Sequence, residues 1–327
     1  MRAQMLTAHG GPENFVLAEV PRPEPGPGEV LVRLAATSVN PVDLKIRGGL
    51  PIGPALPAIL GSDVAGTVET TGPDVEGLRP GDAVFGCAGG VRGLGGTLAD
   101  FIVADARLLA HKPASLSMRE AAALPLVSIT AMEALARTAA GPGDHVLVHG
   151  GTGGVGHVAV QLARARGAQV AATVSTMASA ELVRTLGATA AILYPREEVA
   201  EYVGRLTAGR GFDVVIDTVG GANLDRSFAA AALNGRVAAT AARSTHDLSP
   251  LHAKGLSLHV VFMLIPMLHD IGRARHGALL TELAGLVDRG LVRPLVDPTR
   301  FTLETAPDAH RHLEAGKAMG KVVIDIA

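Results

Sequence analysis

The sequence contains few of the residues that mark several protein classes. It has no tryptophan, two tyrosines and seven phenylalanines, so aliphatic side chains and 40 glycines must provide the packing. Its single cysteine, Cys87, excludes an intrachain disulfide framework and any zinc site built from several cysteines. Charged residues make up only 18%, the formal net charge is −2, and no basic run is present. We therefore expect no nucleic-acid partner.

Long apolar runs are also missing. The most apolar stretch, Leu256 to Leu268, is interrupted by His259 and Pro266 and is too short to span a bilayer. The first ten residues lack the apolar core of a signal peptide. These features predict a cytoplasmic protein with no membrane partner.

A chain of 327 residues predicts two domains, because a single core usually stops growing near about 250–300 residues. Hydrophobic residues make up 48%, enough for a large core. In the first third, short apolar runs at 30–36, 63–69 and 83–86 are separated by glycine and proline turns. This pattern predicts a small, barrel-like β domain.

From His145 onward, apolar strands alternate with helical patterns. The predicted strands are 145–149, 169–174, 190–194, 213–217, 236–241 and 257–262. The predicted helices are 119–124, 128–140, 154–166, 178–186, 278–289 and 306–315, and a final strand covers 321–326. Continuous apolar strands alternating with helices are typical of an α/β protein with a parallel, doubly wound sheet.

A glycine-rich loop joins the first of these strands to a helix. Gly151, Gly153 and Gly156 fit the G-x-G-x-x-G pattern of dinucleotide-binding loops. In that pattern the glycines permit a tight turn, a close approach of backbone N–H groups to a pyrophosphate, and close helix packing, in that order. The helix N-terminus adds unpaired N–H donors. The predicted cofactor-binding residues of this loop are Gly151, Thr152, Gly153, Gly154, Val155 and Gly156.

The residues after the next strand indicate which dinucleotide is bound. An acidic residue there would hold a ribose 2′-hydroxyl and repel a 2′-phosphate, but this chain has Ser175 and Thr176. The hydroxyls favour NADP(H) over NAD(H). Ser179 and Tyr194 are further candidates for the same group, with helix capping or packing as the alternative.

Several segments in family order resemble the zinc-independent quinone oxidoreductases and enoyl reductases of the medium-chain dehydrogenase/reductase superfamily, which include the zeta-crystallin-like proteins. The segments are 38–43 (SVNPVD), 79–84 (RPGDAV), 146–156 (VLVHGGTGGVG), 217–221 (DTVGG) and 320–323 (GKVV). The resemblance implies a GroES-like, β-rich substrate domain over 1–120 and 266–327. It implies a Rossmann domain that binds NADP(H) over 121–265.

The resemblance also implies an activity: hydride transfer to a C=C bond conjugated to a carbonyl, as in a quinone, an enone or a 2-enoyl thioester such as an enoyl-CoA. Asn40 stands where related enzymes carry a zinc-binding cysteine, and its amide could hold the nicotinamide ribose or donate to the substrate carbonyl; the alternative is an Asx turn before Pro41. Lys45 stands where zeta-crystallin-like enzymes often carry a tyrosine, and its ammonium could stabilise an enolate or relay a proton; the alternative is a solvated lysine on a short helix. Thr130 matches a family threonine near the nicotinamide, with a hydroxyl bonded to its own helix backbone as the alternative. These three are the predicted catalytic residues.

The resemblance adds Thr218, Val219, Met263 and Lys321 to the predicted cofactor-binding residues. A homodimer is usual in such proteins, and the apolar segment Leu258 to Ile265 is the expected edge. Segment 50–58 is rich in proline and apolar residues, and segment 86–96 is rich in glycine. We expect both to line the pocket, which predicts a small apolar substrate.

Related alcohol dehydrogenases hold catalytic zinc with Cys, His and Cys. Here the matching positions are Asn40, Ser62 and a position near Leu126, which do not form a zinc site. Cys87 and Asp63 remain as candidates for a different metal site. Two alternatives therefore stay open: an alcohol dehydrogenase with an atypical metal site, and a non-enzymatic NADPH-binding protein.

Overall fold

A computed structural model describes residues 1–326 of the chain. The chain divides into two compact units. Unit 1 comprises Met1–Ile129, Leu264–Gly290 and the described part of Pro294–Ala327, and unit 2 comprises Thr130–Met263 and Leu291–Arg293. In this described part, no helix is both long enough and apolar enough to cross a membrane.

The strands are numbered in chain order. They are β1 (Arg2–Leu6), β2 (Phe15–Glu19), β3 (Glu29–Val39), β4 (Ala58–Ile59), β5 (Asp63–Thr71), β6 (Ala83–Cys87), β7 (Phe101–Asp105), β8 (Leu109–His111), β9 (His145–His149), β10 (Gln169–Val174), β11 (Ala190–Leu193), β12 (Phe212–Asp217), β13 (Ala231–Ala239), β14 (Ser257–Val260), β15 (Phe301–Thr302) and β16 (Val322–Asp325).

The helices are numbered in the same way. They are α1 (Pro41–Arg47), α2 (Met118–Ala122), α3 (Pro125–Arg137), α4 (Gly154–Ala165), α5 (Met177–Thr185), α6 (Val199–Thr207), α7 (Asn223–Ala230), α8 (Ser249–Lys254), α9 (Ile265–His269), α10 (Ala274–Asp288) and α11 (Ala306–Glu314). Two single 3-10 turns, Pro12–Asn14 and Ala106–Leu108, complete the regular structure.

Unit 2 is built on a six-stranded parallel sheet with the order β11-β10-β9-β12-β13-β14. This is the Rossmann order, in which the direction of winding reverses between the first and the fourth strand. The reversal here lies between β9 and β12. Side chains such as Leu147, Val215 and Phe228 are buried in its core. The predicted doubly wound α/β fold is confirmed.

Unit 1 is β-rich. A three-stranded sheet runs β2-β1-β4, and a seven-stranded sheet runs β15-β16-β3-β5-β6-β8, with β7 also paired to β3. The last strand of the chain therefore pairs with an early one: Val322 of β16 lies opposite Val39 of β3. This pairing brings Lys321, which directly precedes β16, to the end of β3, which is directly followed by Asn40. Both are predicted site residues.

Several predicted elements have different limits in the structure, and two of these shifts have a clear physical cause. Helix α3 begins at Pro125, three residues before the predicted start, because proline is well suited to the first helical position. Strand β13 begins at Ala231 rather than 236. Ala231 already pairs with Phe212 of β12, and the register then shifts before Arg236, with Asn234 at a φ of 58° inside the strand.

Candidate active site

The glycine-rich loop joins β9 to α4 at the point where the winding of the sheet reverses. Gly150 has a φ of 71°, so it supplies the left-handed residue of the turn that the sequence pattern assigned to Gly151. Helix α4 begins at Gly154, and Gly153 is its N-cap. The first N–H groups of α4 have no acceptor within the helix and remain available to an anion.

Close packing explains the other two glycines of the pattern. A Cβ atom at Gly156 would overlap the Gly150 carbonyl group, whose carbon lies 2.8 Å from that position. A Cβ atom at Gly151 would lie 2.7 Å from the Ala172 Cβ atom and 3.0 Å from Val183. Helix α4 therefore touches the loop backbone, and the loop touches β10 and α5. Only glycine permits both approaches.

Side chains from neighbouring strands fix the loop. The Thr218 hydroxyl, just after β12, donates to the His149 carbonyl at 2.7 Å. The Thr173 hydroxyl of β10 accepts from the Gly150 N–H at 3.1 Å. Burial lowers the pKa of His149 to about 4, so its imidazole is neutral near pH 7. The loop is thus held by neutral groups.

The turn after β12 is organised by a residue that the sequence analysis did not single out. The buried Asp217 carboxylate accepts from the Val219 and Gly220 N–H groups, each at 2.8 Å. It also accepts from Asn223 at 3.0 Å and Ser227 at 2.7 Å. The side chain of Val219 is left largely exposed beside the glycine-rich loop. A buried acid directly before the Thr-Val-Gly-Gly segment is the signal that could have identified this turn.

The residues predicted to select NADP(H) lie at the carboxyl ends of β10 and β11. Val174 pairs with Leu193, so Ser175 and Tyr194 leave the sheet at the same edge. Both are exposed, Tyr194 to 52%. The Thr176 hydroxyl caps α5 by accepting from the Ser179 N–H at 3.1 Å and donates to the Ser179 hydroxyl at 3.0 Å. Capping therefore occupies these two hydroxyls.

Sequence reasoning missed a basic residue at this same edge. Arg196 is exposed, two residues beyond Tyr194, in a turn closed by its N–H donating to the Leu193 carbonyl at 2.8 Å. Its guanidinium has no ion-pair partner among residues 1–326. The sheet register would have identified Arg196, because it places the end of β11 beside the end of β10.

In unit 1, a buried polar cluster lies where β3 ends. The Asp63 carboxylate accepts from the Ser38 hydroxyl at 2.5 Å, the Asn40 side-chain amide at 2.7 Å and the Leu126 N–H at 2.8 Å. The Lys321 ammonium lies 3.4 Å from the same carboxylate and also donates to the Asn40 side-chain carbonyl. We call these five residues the Asp63 cluster.

A second carboxyl lies beside this cluster. Asp43 accepts from the Asn40 backbone N–H at 2.7 Å and from the Ser62 hydroxyl at 3.3 Å. Burial raises the pKa of the Asp43 carboxyl to about 6. The register of β5 and β6 pairs Asp63 with Cys87, as the sequence analysis anticipated, and burial raises the pKa of the Cys87 thiol well above its usual range. That thiol is protonated at neutral pH.

The predicted catalytic residues have different surroundings. Asn40 is fully buried, and both ends of its side-chain amide are occupied within the Asp63 cluster. Lys45 is exposed on α1, and its ammonium makes no hydrogen bond or ion pair among residues 1–326. Thr130 is buried on α3, and Met263 is buried just after β14. Lys321 is buried in unit 1, so its assignment to the cofactor stays a prediction.

The positions that match zinc ligands do not fit zinc. Asn40 is committed to Asp63 and Lys321, Ser62 to Asp43, and Leu126 offers no donor side chain. Within residues 1–326, no group of three or more His, Cys, Asp or Glu side chains could hold a metal ion. Asp63 and Cys87 do converge, but with Lys321 rather than with a third ligand.

Comparison with known proteins identifies the family. Residues 26–114 match the "Alcohol dehydrogenase GroES-like domain", and residues 186–324 match the "Zinc-binding dehydrogenase" family. A quinone oxidoreductase of Pseudomonas aeruginosa is 35% identical over 98% of this chain and 98% of its own. An NADPH-dependent alkenal/one oxidoreductase of Arabidopsis thaliana is 34% identical over 99% of this chain and 79% of its own.

Solved structures agree with these relatives. An alcohol dehydrogenase superfamily protein from Novosphingobium aromaticivorans is 45% identical, with a TM-score of 0.96 and full coverage of both chains. A mycobacterial protein complexed with NADPH is 32% identical, with a TM-score of 0.87 over 99% of both chains. The chain therefore belongs to the zinc-independent quinone oxidoreductase branch of the medium-chain dehydrogenase/reductase superfamily and is an NAD(P)-dependent oxidoreductase.

Proposed function

We propose that this protein uses NADPH to reduce a C=C bond conjugated to a carbonyl, in a quinone, an enone or a 2-enoyl thioester. The observation that carries the proposal is the β9–α4 loop, in which Gly156 brings the start of α4 against the loop backbone. Relatives named as a quinone oxidoreductase and an alkenal/one oxidoreductase support the substrate class. NADPH supplies the hydride when bound.

The domain that we predict over 121–265 holds the cofactor. The free N–H groups at the start of α4 bind the pyrophosphate. The Ser175 hydroxyl, the Tyr194 side chain and the Arg196 guanidinium bind the 2′-phosphate, since they leave the sheet at one edge and include a cation. Thr218 and Val219 border the same loop, with Thr218 fastened to it.

Reduction of a conjugated double bond leaves negative charge on the carbonyl oxygen, and the α carbon then needs a proton. Lys45 is the candidate for both tasks, because its ammonium is exposed and has no partner among residues 1–326. Asn40 is fully buried and its amide holds Asp63, so it presents no donor at the surface for a substrate. We therefore give Asn40 a positioning role at the start of α1, and Thr130 remains a candidate.

Turnover with a substrate panel tests this function. NADPH and NADH oxidation is measured side by side with quinones, enones and crotonyl-type thioesters. We expect turnover with NADPH and at least one class. Lys45→Met should lower kcat about 10²-fold or more, a typical contribution of acid–base catalysis, while Lys317→Met, an equally exposed lysine, should not. Bound NADPH without turnover of any substrate contradicts the proposal.

We also infer a homodimer that forms at the outer edge of β14. This strand is the last of the sheet, pairs only with β13 in the described chain, and ends at Val260, which is 49% exposed. The Val260 carbonyl accepts from the Arg137 guanidinium at 2.7 Å, but no second strand pairs with this edge in the described chain, and such an edge is a template for pairing with a second chain. Light scattering should find a dimer that Val260→Lys dissociates and Leu17→Lys, on β2, does not. A monomeric wild-type protein refutes the inference.

A further inference from the structure

The Asp63 carboxylate is saturated with donors. A carboxylate offers about four acceptor positions. In Asp63, one oxygen accepts from the Leu126 N–H, and the other accepts from Ser38, Asn40 and Lys321. The Asp63 side chain is fully buried, so water does not contribute to this set. Both oxygens are therefore engaged, and three of the four donors share one of them.

The Lys321 ammonium is saturated as well. Its three protons face three oxygens: the Val39 carbonyl at 3.3 Å, the Asn40 side-chain carbonyl, and Asp63 at 3.4 Å. Its side chain is only 3% exposed. A buried ammonium with three acceptors, one of them anionic, offers nothing to a phosphate or to a substrate.

The backbone is shaped to deliver this lysine. The preceding residue, Gly320, has a φ of 75°, and a Cβ atom there would overlap the Leu295 carbonyl group. The Lys321 N–H donates to that same carbonyl at 2.8 Å, and its own carbonyl accepts from the Asp297 N–H at 2.9 Å. The Gly-Lys pair therefore places a cation at the end of β3 from a position 258 residues beyond Asp63.

The cluster fixes the starts of two helices. Asn40 is the N-cap residue of α1, yet its side chain turns away from the helix to hold Asp63 and Lys321. The Leu126 N–H lies in the first turn of α3, one residue after Pro125. Any movement of Asp63 would thus move both helix starts, including the helix that carries Lys45.

We propose that Lys321 is a positioning residue whose buried ammonium provides the cation that this pocket requires. The ammonium neutralises Asp63 and holds Asn40, and so fixes α1 and the Lys45 side chain that it carries. The kinetic part of the proposal rests on the proposed function, whereas the charge requirement does not. Removing one partner of a buried ion pair leaves an uncompensated charge.

The experiment restores the missing atoms as a separate molecule. Lys321→Ala lacks three carbons and the nitrogen, which together are n-propylammonium. We expect this variant to unfold at least about 5 °C below the wild type, and n-propylammonium to recover about half of that loss or more. 1-Propanol, the neutral equivalent, and tetramethylammonium, a cation without N–H donors, should recover none of it.

Lys254→Ala is the matched control. The Lys254 ammonium also faces three carbonyl oxygens, those of Phe228, Ala229 and Ala231, but no carboxylate. We expect n-propylammonium to leave its unfolding temperature unchanged. If Lys321→Ala cannot be obtained folded, Lys321→Met keeps most of the side-chain volume without the charge, and its unfolding temperature should fall by a similar amount.

Kinetics separates positioning from simple stabilisation. In the folded Lys321→Ala protein, kcat should fall about 10-fold or more, since small displacements of a catalytic group are costly. The Kd for NADPH should stay within about twofold, and n-propylammonium should restore kcat. Equal rescue by 1-propanol, a wild-type unfolding temperature in both variants, or an unchanged kcat would overturn the proposal. If the wild type turns over no substrate, the proposed function fails, and thermal rescue still decides the role of Lys321.

Discussion

Gly156 provides the sharpest test of the loop that carries the proposed function. An alanine there places a Cβ atom 2.8 Å from the Gly150 carbonyl carbon and 3.1 Å from the Gly151 Cα atom. Carbon atoms in contact normally lie about 3.5–4.0 Å apart. The start of α4 and the loop must therefore separate by at least about 0.7 Å. No side chain can rotate to relieve this overlap, because the obstructing atoms belong to the backbone.

The cost should appear in cofactor binding. Overpacking of this kind costs about 1–3 kcal/mol. If the loop relaxes only when NADPH is absent, binding must restore the overpacked geometry. The binding free energy then loses that amount, and the Kd for NADPH rises roughly 5- to 150-fold. If the loop moves in both states, the N–H groups lose their alignment and binding weakens for that reason instead. Both routes predict weaker binding of NADPH by Gly156→Ala.

Fluorescence titration of NADPH measures this effect, with thermal unfolding as a check on folding. The matched control is Gly204→Ala on α6, where a Cβ atom meets nothing within 4 Å. That variant should bind NADPH normally and be more stable by about 0.5–1 kcal/mol, because alanine favours a helix interior over glycine. A folded Gly156→Ala protein with a Kd within about twofold of the wild type would refute the packing argument.

Three further predictions follow from the same structure. Arg196→Ala should raise the Kd for NADPH about 10-fold and leave that for NADH unchanged, because in the proposed function its guanidinium binds only the 2′-phosphate; equal effects on both cofactors would contradict this. Ser175→Asp should weaken NADPH by repulsion and shift the preference toward NADH, as kcat/KM for the two cofactors would show. His310, whose pKa burial lowers to about 3, binds a proton in the unfolded state as pH falls below about 6.5. The wild type should therefore lose about 3 kcal/mol between pH 7 and pH 4 that His310→Phe retains in urea unfolding, and parallel pH profiles would argue against this.

Local pattern was sufficient where burial is continuous along a strand. β9 and β10 have the predicted limits, because each has an apolar, buried centre, Val146–Val148 in β9 and Val170–Ala172 in β10, with polar residues toward its ends. Prediction was wrong where tertiary packing overrides local preference. Strand β13 starts five residues before its predicted start, because Ala231 already pairs with Phe212 of β12, a residue of a different segment.

The candidate site likewise contains features that a local sequence pattern encodes and features that depend on strand pairing. The glycine-rich loop could be predicted because its chemistry lies within one contiguous segment. Arg196 could not be found from sequence, because its place depends on the parallel register between β10 and β11. The surroundings of Lys321 depend on the antiparallel pairing of β16 with β3, which joins opposite ends of the chain. No local pattern encodes either pairing.

The same separation along the chain distinguishes the cation beside Asp63 from a bound metal ion. A metal ion must be captured from solution and held by several deprotonated ligands, so its binding depends on pH and on supply. Lys321 reaches Asp63 whenever β16 pairs with β3, so the charge is recruited by folding itself. Two buried charges are stable together only if every donor and acceptor is satisfied. In this cluster each one is, and that requirement ties the position of α1 to the last strand of the chain.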